Sequence, residues 1–222
     1  MTLLDGATMR SYAKRFDAIR QLSPDRLVTE GDRWKHTIKD FKEGGFLRYD
    51  GHTHLALQVA RYDEVKDDDT FTKKTGFKTS EYKLFCIDTG ETTYIEWEED
   101  DKLEIFVTTG EVTFRELRDD GNEAIDEDDL DQIVDDEDSI FFKGREFRYD
   151  DDWASVYYVG KGRKGENVFM YEFVAGDASG DCLTIEEWAS GSGKEEYQIF
   201  TSRSAGENEI EILCPGKGER NA

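Results

Sequence analysis

Few residues in this chain are suited to chemistry: three histidines, three cysteines and a large stock of carboxylates. His52 and His54, in "GHTH", stand two apart, a spacing that puts both on one face of a strand and suits a pair of metal ligands. A metal needs a third ligand, and His36, Asp63 or Glu64 would have to return to the same point. Directly after a glycine turn, two solvated histidines are expected, so no metal ligand is assigned. Glu96 with Glu186 or Glu187 offers a carboxylate pair of the kind used in acid–base catalysis. That chemistry requires one carboxyl to be desolvated in a cleft. These acids stand among many others in hairpin-like segments, where solvation is expected.

Nucleophilic catalysis has no better footing. There is no G-x-S-x-G, and Cys86 and Cys182 stand in strand patterns where a cysteine is a small buried hydrophobe. With Cys214 the cysteines are odd in number and lack a C-x-x-C pair, which suggests neither a disulfide framework nor a thiolate metal site and fits a reducing compartment. The one Gly-Lys-Arg cluster, "GKGRKGEN" at 160–167, lacks the strand-to-helix setting of a phosphate loop and reads as a basic hairpin tip. No catalytic, cofactor-binding or metal residue is therefore expected. Trp97, Trp188 and Trp153 are the remaining candidates, either as core anchors or as aromatic plates on a binding face.

The elements that position these residues are mostly strands. "HLALQVARY" and "KLEIFVT" alternate with period two, and turn signals at Asp50-Gly51, Asp88-Thr89-Gly90, Glu98 to Asp101, Lys143-Gly144 and Gly176 to Gly180 separate such runs at short spacing. Upstream, Met9, Tyr12, Ala13, Phe16 and Ile19 share a helical face between a Thr8 cap and a Ser23-Pro24 stop. The opposite face carries Arg10, Lys14, Arg15 and Arg20. It is expected to dock on the protein's own negative surface, with an anionic membrane surface as the alternative. Twelve of the twenty residues at 119–138 are acidic, and like-charge repulsion makes an exposed linker the expectation, although Ile125, Leu130, Ile133 and Val134 suit a short helix.

Either side of that linker the chain reads as one pattern written twice: Ile95-Glu96-Trp97 before Ile105-Phe106, and Ile185-Glu186-Glu187-Trp188 before Ile199-Phe200. The expected fold is mainly β: two related antiparallel β units, each a meander, barrel-like or a sandwich, with a short N-terminal amphipathic helix. Its parts are a helix and connector (1–35), a first β unit (36–118), the acidic linker (119–138), a second β unit (139–214) and a tail (215–222). The run "FLRYDG", "EYKL", "YIEWE", then "YEFV", "LTIEEW" and "EEYQIF" resembles the domain of unknown function 4178 family over residues 36–203. The resemblance implies a stress-linked accessory role and supplies no catalytic residue.

Net charge of −23 repels phosphate backbones and argues against nucleic-acid binding. No apolar run resembles a secretion signal or membrane span, so a cytoplasmic protein is expected. Two functions follow: a non-enzymatic accessory protein meeting a basic or membrane-associated partner, or a small-molecule-binding or hydrolytic protein using a cavity between the β units.

Overall fold

The computed structural model describes residues 6–22, 24–66, 70–162, 164–189 and 195–216. Ser23, Arg163, residues 190–194 and residues beyond 216 lie outside the described residues. Helix α1 (Gly6–Arg20) precedes short 3-10 turns and the strands β1 (Phe46–Tyr49), β2 (His52–Val65), β3 (Lys74–Cys86), β4 (Thr92–Glu99) and β5 (Leu103–Val112). The chain continues through β6 (Leu117–Arg118) and α2 (Glu127–Asp135). It then runs through β7 (Ser139–Phe142), β8 (Arg145–Val159), β9 (Glu166–Ala175), β10 (Asp181–Ala189), β11 (Glu195–Ser204) and β12 (Glu211–Cys214).

The mainly β, antiparallel expectation holds, and the strands close into one barrel. Neighbours run β2-β3-β4-β5-β11-β10-β9-β8, and β8 returns to β2 through Ala60↔Val159 to Val65↔Ala154. The second junction pairs β5 with β11 from Val112↔Ile199 to Phe106↔Ser204. The two β units are therefore halves of one eight-stranded wall. Each half carries a two-stranded flap: β1 with β12 beside β2, and β7 with β6 beside β8. The turns entering β2 and β8 share one chemistry. Asp50-Gly51 and Lys143-Gly144 both hold positive φ at two successive residues, which a two-residue type I′ hairpin demands.

Two of the packed clusters lie outside the wall, beneath the flaps. In the first half Leu84, Ile95, Ile105 and Val107 pack under Leu47 and Ile212, with Ile38 and Phe41 from a 3-10 turn. In the second half Phe173, Leu183, Ile185 and Ile199 pack with Ile140 and Leu117, and with Leu130 and Ile133 from α2. Strand alternation sends the intervening residues into the lumen.

The acidic segment corrects the expectation of an exposed linker. Asp126 caps α2, accepting from the Asp128 N–H at 3.1 Å, while the Asp129 carboxylate accepts from the Asp126 N–H at 2.9 Å. Glu127, Asp128 and Asp129 fill the first turn, where the helix dipole favours negative charge. Leu130 and Ile133 are buried on the second half's core, so capping and burial outweigh the repulsion. Helix α1 follows its expectation in part, since one residue of its basic face docks on the protein itself. It docks through Ala18 against Phe46, Leu55 and Phe85, and through Arg15, which donates to the Ile87 carbonyl at 2.6 Å and to the Asp88 carbonyl. Tyr12, Phe16 and Ile19 face solvent. No helix among the described residues is long and apolar enough to cross a membrane.

Candidate functional site in the barrel lumen

Alternation on β3 turns Tyr82 and Leu84 toward the outer core and Glu81 and Lys83 inward. Glu96 lies directly opposite Glu81 across the β3–β4 ladder and shares its face. On β10, Glu186 and Trp188 point inward while Ile185 packs outward. The long strands β2 and β8 bring Tyr62 opposite Tyr157 where the barrel closes. A cavity of about 740 Å³ opens here, with Tyr62, Glu81, Tyr157, Glu186 and Trp188 among its walls.

Two glutamates are held by aromatic donors. The Tyr62 hydroxyl donates to Glu186 Oε1 at 2.9 Å, Trp188 Nε1–H donates to Glu186 Oε2 at 3.0 Å, and the Tyr157 hydroxyl donates to Glu81 Oε1 at 2.8 Å. The rings form a continuous aromatic wall: Tyr62 and Tyr157 have centroids 4.8 Å apart, and Trp188 meets Tyr157 edge-on at 5.1 Å. Charge of the opposite sign is present too, since Lys83 lines the cavity with its ammonium over the Tyr94 ring.

Burial dominates the electrostatics. Glu186 is 4% exposed, and burial pushes its pKa to about 7, with the Tyr62 hydrogen bond opposing and the Glu81 charge adding to the rise. Glu96 stands well above the usual carboxylate range, through burial first and then through the charges of Glu81 and Glu186. Burial also raises Glu81, against the Tyr157 hydrogen bond. Glu172, inward on β9, is pushed to about 7 by burial and by Glu98. Deeper on the same wall the Ser155 hydroxyl is fully buried with no hydrogen-bond partner among the described residues.

The carboxylate pair Glu96 and Glu186 is thus inside the barrel and not in solvated hairpin turns, because closure through β2–β8 encloses a face that an open sheet would leave wet. Glu187 points the other way and accepts from Tyr171 at 2.8 Å. The tryptophans divide. Trp97 packs with Val59 and Leu103 on the outer core, whereas Trp188 and Trp153 join Tyr62, Val168 and Met170 inside. One extra residue separates Ile185 from Trp188 relative to Ile95 and Trp97, and with period two that reverses the ring's face. His54 is buried, its Nδ1 3.2 Å from the His52 carbonyl; His52 is exposed. Sequence reasoning missed Tyr62, Glu81, Tyr157 and Glu172. Their only signal was in-phase alternation with Glu96 and Glu186.

A family model described as "Domain of unknown function (DUF4178)" matches residues 42–206, about three-quarters of the chain and all of the barrel. No curated protein and no solved structure matches it.

Proposed function

For a chain that belongs to the DUF4178 family, we propose that the barrel lumen is a receptor for a small organic cation, such as a protonated amine. The observation that carries this is the wall itself: Glu81 and Glu186 buried beside the rings of Tyr62, Tyr157 and Trp188. Carboxylates supply the counter-charge, and aromatic faces attract a cation by their quadrupole, a pairing that suits ammonium groups and disfavours anions. Glutamates raised toward neutrality are cations' partners in waiting, because a bound ammonium returns them to the ionised form. The net charge of −23 draws cations toward the protein from a distance. Binding is favoured over turnover because the Glu186 oxygens are both already engaged by Tyr62 and Trp188.

In this reading the halves descend from one duplicated unit. Their matching strand order, flaps and type I′ turns support it, and Glu96 and Glu186 become equivalent inward positions. Thermal shift with alkylammonium ions, matched against alkylcarboxylates, tests the function. A rise in melting temperature with the cations alone, lost in Glu186→Gln and kept in the surface variant Glu127→Gln, is expected. Equal response to both series refutes it.

A second reading concerns α1, whose Tyr12, Phe16 and Ile19 are exposed beside Arg10, Lys14 and Arg20. An apolar stripe flanked by cations fits the surface of an anionic membrane. Flotation with phosphatidylserine vesicles, abolished in Phe16→Asp and absent with neutral vesicles, is the expected result; no flotation on either vesicle refutes it.

A further inference from the structure

Three different donor types meet where β3 ends. His52 opens β2 after the Asp50-Gly51 turn, Cys86 closes β3, and Asp88 lies in the following turn. One ligand atom from each falls within 4.8 Å of the others. We propose that His52, Cys86 and Asp88 form a binding site for a divalent transition metal of the zinc type, in a groove whose wall the histidine and cysteine line.

The spacing supports a metal more than a direct bond. His52 Nδ1 and Asp88 Oδ2 are 3.7 Å apart, too long for a hydrogen bond. Two ligands of a tetrahedral ion with bonds of roughly 2.0–2.3 Å stand about 3.3–3.8 Å apart. Imidazole, thiolate and carboxylate together suit Zn²⁺ over Mg²⁺ or Ca²⁺, which prefer all-oxygen shells.

The backbone already holds the donors in place. The Thr53 N–H donates to Asp88 Oδ2 at 2.7 Å, and the Thr89 N–H donates to Cys86 Sγ at 3.4 Å. Arg15 of α1 grips the carbonyls of Ile87 and Asp88, fixing the turn from outside. Binding displaces the Cys86 thiol proton to solvent and forms a metal–sulfur bond with no change of oxidation state. Three protein ligands leave a fourth position facing the groove, the arrangement in which zinc keeps a water.

Cobalt(II) reports this site directly, because a thiolate ligand gives an intense charge-transfer band alongside visible d–d bands. The full chain is titrated with Co²⁺ and then with Zn²⁺. One Co²⁺ per chain with a thiolate band that Zn²⁺ displaces is expected, with the band lost in Cys86→Ser and His52→Ala and retained in Cys182→Ser. His52 is exposed, so His52→Ala keeps the test decisive should the buried Cys86→Ser variant fail to fold. No thiolate band in the wild type, or a band that survives His52→Ala, overturns the proposal. Because Glu186 takes no part, failure here leaves the lumen reading standing.

Discussion

Glu186→Gln removes one charge from the lumen while leaving its shape nearly intact. The wild-type carboxyl sits at about 7 in the folded protein against an ordinary 4.5, chiefly through burial. The sign follows from proton counting. Between pH 4.5 and 7 the folded chain holds a proton that the unfolded chain has released, so stability is full below pH 4.5, falls through this window and is level above it. At roughly 1.4 kcal/mol per pH unit, Glu186 alone accounts for a loss of about 3 kcal/mol. Glu81 and Glu96 are raised in the same sense and steepen the fall. Asp177, held at about 2 by hydrogen bonds from Arg145, acts oppositely, its stabilisation being lost only as pH falls from 3.8 through 2. The variant has no proton to exchange at position 186, but its amide offers one acceptor to two donors, Tyr62 and Trp188, a cost of about 1 kcal/mol. Urea unfolding followed by tryptophan fluorescence at pH 5, 6.5 and 8 gives the comparison. The drop in stability from pH 5 to 8 should be about 2–3 kcal/mol smaller in Glu186→Gln, and the variant should be the more stable protein at pH 8. Parallel curves for the two proteins would refute the burial of an ionisable Glu186.

Tyr62→Phe deletes the hydroxyl that holds Glu186 and lowers its pKa; it should cost about 1 kcal/mol at pH 8 and move the carboxyl's titration, followed by NMR, further upward. Leu130→Ala empties a site that is 1% exposed between α2 and the second core. Denaturant unfolding should show a loss of about 2–4 kcal/mol, and a change under about 0.5 kcal/mol would restore the exposed-linker reading of 119–138. Gly51→Val puts a β-branched residue at φ +75°. It should destabilise the β1–β2 hairpin and lower the melting temperature, whereas the same change at Gly31, where an added Cβ meets nothing within 4 Å, should be nearly silent.

Strands and hairpins were legible because their signals are local. Period-two alternation in "KLEIFVT" and the Asp50-Gly51 and Lys143-Gly144 turns act over a few residues, and the strands lie where those signals place them. The lumen was not legible, because it depends on β2 meeting β8 and β5 meeting β11, pairings between residues far apart in the chain. Without closure, Glu96 and Glu186 read as two more acids in an acidic protein; with closure the same alternation buries them. Trp97 and Trp188 show how fine the margin is, since a single inserted residue sends one ring to the outer core and the other to the cavity. The α2 segment was misjudged because counting charges ignores position: acids at a cap and first turn stabilise a helix that the same acids elsewhere would oppose. In α1 the helical face and the docking of its basic side were legible through Arg15, while the contact made by Ala18 was not.

The most direct test of the lumen as a cation receptor is a calorimetric titration of the full chain with an alkylammonium ion at pH 6 and pH 8. The account predicts saturable binding that tightens from pH 6 to pH 8, as Glu186 ionises through about 7, and that is lost in Glu186→Gln. Binding that ignores pH and survives in Glu186→Gln, or tighter binding of the matched alkylcarboxylate, would contradict it.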